Sequence, residues 1–324
     1  MRKKIILDVD TGTDDAVAIM LAALHPKIEL CSVTTVNGNV EVHHCTDNSL
    51  RVLDLVGRPD VPVYEGATRP IVRDDFPVAR HLRRNPGVHM DVVPFPGTAR
   101  GKETQVAAAH LVEAMARRPG EITLVAVGPL TNVAIALALD PAFARNCREL
   151  VIMGGAIAKS NITPSAEFNI WADPEASAQV MRADFARITL VPLEATHEAL
   201  VSLGQCAALR ALGTPAGIGS AELIEHRIRG YEAHQPTGTP EAAPVHDALC
   251  VAALVEPEVI RTIHANVVIE TRGEFTIGRT VVDHERRTKR EPNCHVAIGA
   301  DRSRFLDLLT RTFAAGAGAD DRRG

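Results

Sequence analysis

Four carboxylates fall between residues 8 and 15, at Asp8, Asp10, Asp14 and Asp15. Carboxylates this close repel one another unless a cation or a proton stands between them, so the stretch predicts a site for a hard cation. Calcium takes about six to eight oxygen ligands, and distant parts of the chain must then supply the rest. Asp14 alone has a plainer reading, because a first helical turn welcomes negative charge. That reading does not reach Asp8 and Asp10, since Asp is depleted in strands. The neighbouring residues say which elements position the four. Ile5, Ile6 and Leu7 read as a buried strand, Thr11-Gly12-Thr13 as a tight turn, and Ala16, Val17, Ile19, Met20 and Leu24 repeat at helical spacing. Asp8 and Asp10 therefore end a strand, and Asp14 and Asp15 open a helix.

The rest of the chain alternates in the same way. Strands are expected over 29–36, 62–64, 122–127, 150–153 and 188–193, and helices over 40–56, 103–115 and 248–254. A helical region with a Gly-rich break covers 203–235, three short strands lie at 266–270, 279–283 and 294–298, and a last helix covers 303–313. Residues 68–98 form a long Pro- and Arg-rich connection, of the kind that serves as a lid or binding loop. This order predicts an α/β fold with a mainly parallel central sheet flanked by helices, forming one domain over 1–313 with a disordered tail over 314–324. In such sheets ligands bind beyond the carboxyl ends of the strands. The polar groups at Asp8/Asp10, Asn39, Gly128, Asn161 and Thr196/His197 all follow strands and converge on that edge.

Composition narrows the function. The 324 residues carry a formal charge of −5, with Lys and Arg scattered, which argues against a nucleic-acid partner. Aromatic residues make up 3%, so the core must be aliphatic, as suits a helix-covered parallel sheet. The six cysteines form no C-x-x-C pair and point to a reducing compartment. The apolar run before Asp8 is too short for a signal peptide, and no segment reaches the roughly 20 apolar residues of a membrane span. A cytoplasmic, soluble protein is the expectation.

Spacing separates three readings of the acidic stretch. An EF-hand needs Gly and Glu where this chain has Thr13 and Ile19. The D-x-D-x-T pattern of haloacid-dehalogenase-type phosphatases would make Asp8 a nucleophile and Asp10 an acid, but Gly12 stands two beyond Asp10. DVDTGTDDA resembles instead the N-terminal signature of the nucleoside hydrolases, which are calcium-dependent N-ribohydrolases. TTVNGN at 34–39, VGPLTN at 127–132, NITPSAEFNIWADPEA at 161–176 and VHDALCVA at 245–252 extend the resemblance from about residue 4 to 312.

The resemblance implies that Asp10, Asp15, Asp247 and the Val127 carbonyl bind Ca2+. It implies that Asp14, Asn39, Asn161, Glu167 and Asn169 hold the ribose hydroxyls of a nucleoside substrate. Acids and amides suit that task, because vicinal hydroxyls both donate and accept. Asp10 would take a proton from the attacking water, and His246 is the candidate acid for the leaving base. The resemblance also implies a homotetramer or homodimer. Where the family commonly carries a His-Gly block, this chain reads HLRRNPGVHM, so His81 is a candidate base contact in an unusual loop. Arg227, Tyr231 and His234 share a helix face that either lines the base pocket or faces solvent. His246 resembles the branch that cleaves inosine and pyrimidine nucleosides, and points to uridine or inosine. A non-catalytic calcium-dependent ribose-binding protein is the remaining alternative.

Overall fold

A computed structural model describes residues 2–76 and 87–315. Its strands are β1 (Lys3–Val9), β2 (Ile28–Thr35), β3 (Val63–Glu65), β4 (Ile122–Ala126), β5 (Glu149–Met153), β6 (Ile188–Val191), β7 (Leu200–Ser202), β8 (Ala242–Pro244), β9 (Ile260–Ile269), β10 (Thr280–Asp283) and β11 (Cys294–Ala300). The helices are α1 (Thr13–Leu24), α2 (Val42–Leu55), α3 (Ala107–Arg117), α4 (Thr131–Leu139), α5 (Phe143–Asn146), α6 (Phe168–Ala172), α7 (Pro174–Val180), α8 (Leu193–Thr196), α9 (Leu203–Arg210), α10 (Pro215–His234), α11 (His246–Val255) and α12 (Arg302–Ala315).

Nine strands form one sheet in the order β10-β9-β11-β6-β5-β4-β1-β2-β3, and β7 pairs with β8 apart from it. From β11 to β3 the pairing is parallel, while β9 and β10 add an antiparallel edge. The order reverses at β1, which has β2 on one side and β4 on the other. A crevice opens at such a switch point beyond the strand ends, and there Asp10 and Val127 emerge.

Alternation along β1 sends successive side chains to opposite faces. Ile5, Leu7 and Val9 join the larger apolar core, under α1, α10, α11 and α12, whereas Ile6 joins the core under α3 and α4. Helix α1 is apolar nearly all round and is buried from Thr13 to Ala23, as befits a helix enclosed by others. It packs along α11, so both helices bring their first turns to the crevice.

Three boundaries differ from expectation. The helix expected from residue 103 begins at Ala107, because the Glu103 N–H is spent on the Val63 carbonyl beside β3. Helix α12 runs on to Ala315, into the expected tail. A short helix, α6, interrupts the polar stretch before α7, with the Glu167 carboxylate accepting from the Asn169 and Ile170 N–H groups at its start. Among the described residues, no helix is long and apolar enough to cross a membrane.

Candidate active site

Asp10 leaves the end of β1 and Asp14 and Asp15 open α1, all buried. The turn between them is held by Asp15, whose carboxylate accepts from the N–H groups of Asp10 and Gly12, each at 3.1 Å. Asn39, just beyond β2, donates its N–H to Asp10 Oδ2 at 2.6 Å and its Nδ2 to Asp15 Oδ2 at 3.3 Å. Asp247 arrives on the first turn of α11, and oxygens of Asp14, Asp15 and Asp247 lie within 4.8 Å of one another.

These carboxyls are under electrostatic stress. Burial, and then the charge of Asp15, pushes Asp10 well above the usual carboxylate range. Burial and Asp14 raise Asp15 to about 6. Burial followed by Asp14, Asp15 and Asp10 raises Asp247 well above its ordinary value. The cation that answers them from the protein is Arg227, itself 2% exposed. Its Nη1 donates to Asp14 Oδ1 at 2.8 Å and to Thr13 Oγ1 at 3.0 Å, and its Nε donates to the Pro244 carbonyl at 2.7 Å.

Asp14, Asn39, Arg227 and Asp247 line one end of a cavity of about 190 Å³, and Asp10 and Asp15 are tied to it through their bonds to Asn39. The wall beyond β4 and β5 carries Val127, Met153, Asn161, Glu167, Phe168 and Asn169. Asn169 spends its Nδ2 on the Val127 carbonyl at 2.8 Å, so what it can offer a ligand is its carbonyl oxygen. Burial raises Glu167 to about 7, against the backbone N–H groups of Asn169, Gly155 and Ile170, which favour its charged form. On the other wall stand His89, Arg227, Tyr231, Gln235 and His246. Tyr231 and His246 share a hydrogen between the phenol oxygen and Nε2 at 2.6 Å. Burial, then Arg227, lowers His246 well below the usual histidine range. His89 is lowered to about 3 for the same reasons, so its 3.9 Å approach to Asp14 joins a neutral ring to a carboxylate.

Three sequence expectations need correction. Asp8, the nucleophile of the phosphatase alternative, lies on the Ile6 face of β1, away from the cavity. Its Oδ1 accepts from Thr34 Oγ1 at 2.5 Å and Asn132 Nδ2 at 2.8 Å, and its side chain is fully buried. It has no route to a substrate, and that alternative falls. His234 is exposed, because the cavity faces the Tyr231 and Gln235 side of the helix end; Gln235 stands where His234 was expected. Arg227 is a buried counterion and has no solvated face. His81 lies outside the described residues. His89, from the same connection, carried no signal of its own beyond being a histidine in a long loop.

A sequence profile of the inosine-uridine preferring nucleoside hydrolases matches residues 5–307. The chain belongs to that family. It is an N-ribohydrolase, which hydrolyses the N-glycosidic bond of ribonucleosides, and the non-catalytic alternative falls with this. A pyrimidine-specific ribonucleoside hydrolase of Shewanella woodyi is 38% identical over 312 residues, covering 96% of this chain and 98% of the relative. A second, from Citrobacter koseri, is 36% identical over 314 residues, covering 97% and 99%. Among solved structures, a plant nucleoside hydrolase superposes with a TM-score of 0.89 at 28% identity, covering 97% of this chain and all of the other. A purine-preferring ribonucleoside hydrolase from Gardnerella vaginalis gives 0.87 at 31%, covering 97% and 99%.

The hydrolase's acidic cluster fits the calcium ion of its family. Its donors are all oxygens, the set a hard divalent cation takes. Asp10 Oδ1 is buried without a protein partner, a costly arrangement unless a cation or proton completes it. The Val127 carbonyl accepts once from Asn169 and keeps a second lone pair.

Proposed function

We propose that Asp10, Asp15, Asp247 and the Val127 carbonyl hold the calcium ion, and that Asp14, Asn39, Asn161, Glu167 and Asn169 hold the ribose. When bound, the ion supplies Lewis acidity and positive charge, which make a water easier to deprotonate. Asp10 takes that water's proton. Its Oδ2 is pinned by the Asn39 N–H while Oδ1 stands free of protein donors, so the lone pair it offers is already oriented. The carboxylates of Asp14 and Glu167 flank the sugar and favour the positive charge that grows on the ribose as the bond to the base breaks. Asn39, Asn161 and Asn169 orient the hydroxyls. Tyr231 and His246, which line the same cavity, meet the departing base, and the hydrogen-bonded pair serves its protonation.

The observation that carries this reading is the lining of one cavity. Asp14, Asp247 and Asn39, which holds the partly unpartnered carboxylate of Asp10, line it together with the amides and acid of Asn161, Glu167 and Asn169 and with the Tyr231–His246 pair. A pyrimidine base is the preferred leaving group in this reading, because the pyrimidine-specific relatives are 36% and 38% identical to this chain, against 31% for the purine-preferring enzyme. A homo-oligomer is proposed on the same family grounds.

Base release from uridine, cytidine, inosine and adenosine, followed by chromatography with and without a calcium chelator, tests the assignment. Chelator-sensitive release with uridine or cytidine fastest is expected, and Asp10→Ala should abolish it. Substantial turnover by Asp10→Ala would remove Asp10 from the mechanism; inosine as the fastest substrate would refute the pyrimidine preference.

A further inference from the structure

Thr196 closes the four-residue helix α8 just beyond β6, and it does not line the cavity. Its Oγ1 nevertheless lies 2.7 Å from Nδ1 of His246, with both side chains buried. The same hydroxyl lies 3.4 Å from the Leu193 carbonyl, which can only accept. A threonine proton directed at that carbonyl leaves the threonine lone pair for a hydrogen from Nδ1. That tautomer leaves Nε2 of His246 as an acceptor for the Tyr231 hydroxyl at 2.6 Å. The phenol oxygen in turn lies 3.5 Å from Arg227 Nη2, a donor. Every hydrogen in the chain from Arg227 through Tyr231 and His246 to Thr196 then has one direction, set at the Thr196 end.

We propose that Thr196 is a positioning residue for departure of the base: by accepting the Nδ1–H of His246 it fixes the tautomer and ring orientation with which the His246–Tyr231 pair meets the leaving group. This rests on the reading that the pair faces the base. A histidine's working nitrogen is set by what its other nitrogen bonds. Without Thr196 the buried Nδ1–H loses its acceptor, and the ring must turn or change tautomer to satisfy it. Of the proposed calcium ligands only Asp247 shares α11 with His246, its side chain takes no part in this hydrogen-bond chain, and the ribose contacts come from other elements.

Thr196→Val keeps the shape and removes the hydroxyl, whereas Thr196→Ser restores it. Both are compared with wild type in the calcium-loaded full chain on two substrates. One is the best nucleoside of the panel above, and the other is p-nitrophenyl riboside, whose stable phenolate leaves without a proton. The expected result is a fall in kcat of about 10- to 100-fold for Thr196→Val on the nucleoside. KM, and activity on the aryl riboside, should stay within about threefold, and Thr196→Ser should recover most of kcat. Wild-type rates on the nucleoside, an equal loss on both substrates, or no recovery with serine would each overturn the assignment. Wild-type enzyme inactive on both substrates would sink the reading of the whole site instead. Independently of turnover and of the variants' folding, 15N spectra of the histidine-labelled wild type should show the Nδ1–H tautomer at His246; the Nε2–H tautomer there would refute the proposal.

Discussion

Arg227 offers the clearest energetic test, because it is the buried protein cation beside the acidic cluster. In Arg227→Met the side chain keeps much of its length but leaves Asp14, 3% exposed, without its 2.8 Å partner. Breaking a buried ion pair on one side costs about 3–5 kcal/mol, since the surviving charge cannot regain water. Asp14 would also face Asp10, Asp15 and Asp247 with nothing to offset them, which places the cost toward the upper end. Unfolding entropy is about 2.1 cal/mol/K per residue, so a chain of 324 residues should lose roughly 5–7 °C in Tm. Calorimetry in chelator, so that no calcium masks the charge, is the assay. Asp14→Asn supplies the second arm of a double-mutant cycle. In the D14N background Arg227→Met should cost at least about 2 kcal/mol less, because no carboxylate is stranded. Arg227→Lys should recover part of the loss, one ammonium being unable to serve Asp14, Thr13 and the Pro244 carbonyl in the fixed fork geometry of a guanidinium. A Tm for Arg227→Met within about 1 °C of wild type, or an equal penalty in both backgrounds, would refute the argument that Asp14 and Arg227 are coupled in the buried cluster.

Three further outcomes follow from the same geometry. A Cβ at Gly38 would collide with Asp10 Oδ2 and come within 2.6 Å of its Cγ, so Gly38→Ala should displace the proposed base and lower kcat by at least about tenfold; unchanged kinetics would mean that Asp10 need not hold this position. Calcium at about 100 times its Kd should stabilise the chelated protein by roughly 2.7 kcal/mol, or about 4 °C, and a flat melting temperature across a calcium titration would show that the cluster takes no ion. His110, stacked on Tyr64 and bonded to Ser32 Oγ at 2.8 Å, is lowered by burial from 6.5 to about 4. Below pH 6.5 the unfolded chain takes up a proton there that the folded protein refuses, so stability is lost as pH falls from about 6.5 towards 4. His110→Gln should flatten that part of the pH–Tm curve, and an unchanged slope would remove His110 as its source.

Much of this architecture is legible locally. The alternation of strand and helix, the placing of Asp10 after a strand and of Asp14 and Asp15 on a first turn, and the buried helix after them all follow from short-range periodicity and from what a helix start tolerates. The Asp173-Pro174 pair marks a helix start in the same local way, and the Asp173 carboxylate accepts from the Ala176 N–H at 3.1 Å. The antiparallel edge of β9 and β10 was not, because pairing direction depends on which strands meet and not on their composition.

Within the site, residue type and spacing announced the carboxylates of residues 8–15, because carboxylates so close need a cation or a proton between them, and the resemblance to the family supplied Asn39, Asn161, Glu167, Asn169 and Asp247. Tertiary structure alone decided what surrounds them. The end of β1 at Val9 left Asp8 inside the sheet, turned into the core, and freed Asp10 beyond it for the crevice, although the two look equivalent in DVD. The face that α10 turns to the cavity carries Arg227 and Tyr231, with Gln235 at its end, and left His234 in solvent. Arg227 stands 213 residues from Asp14 in sequence, and Thr196 stands 50 from His246. No periodicity links residues so distant. Their partnership is a consequence of burial, which makes an unpartnered charge or polar hydrogen costly and so favours whatever partner the packed elements bring near.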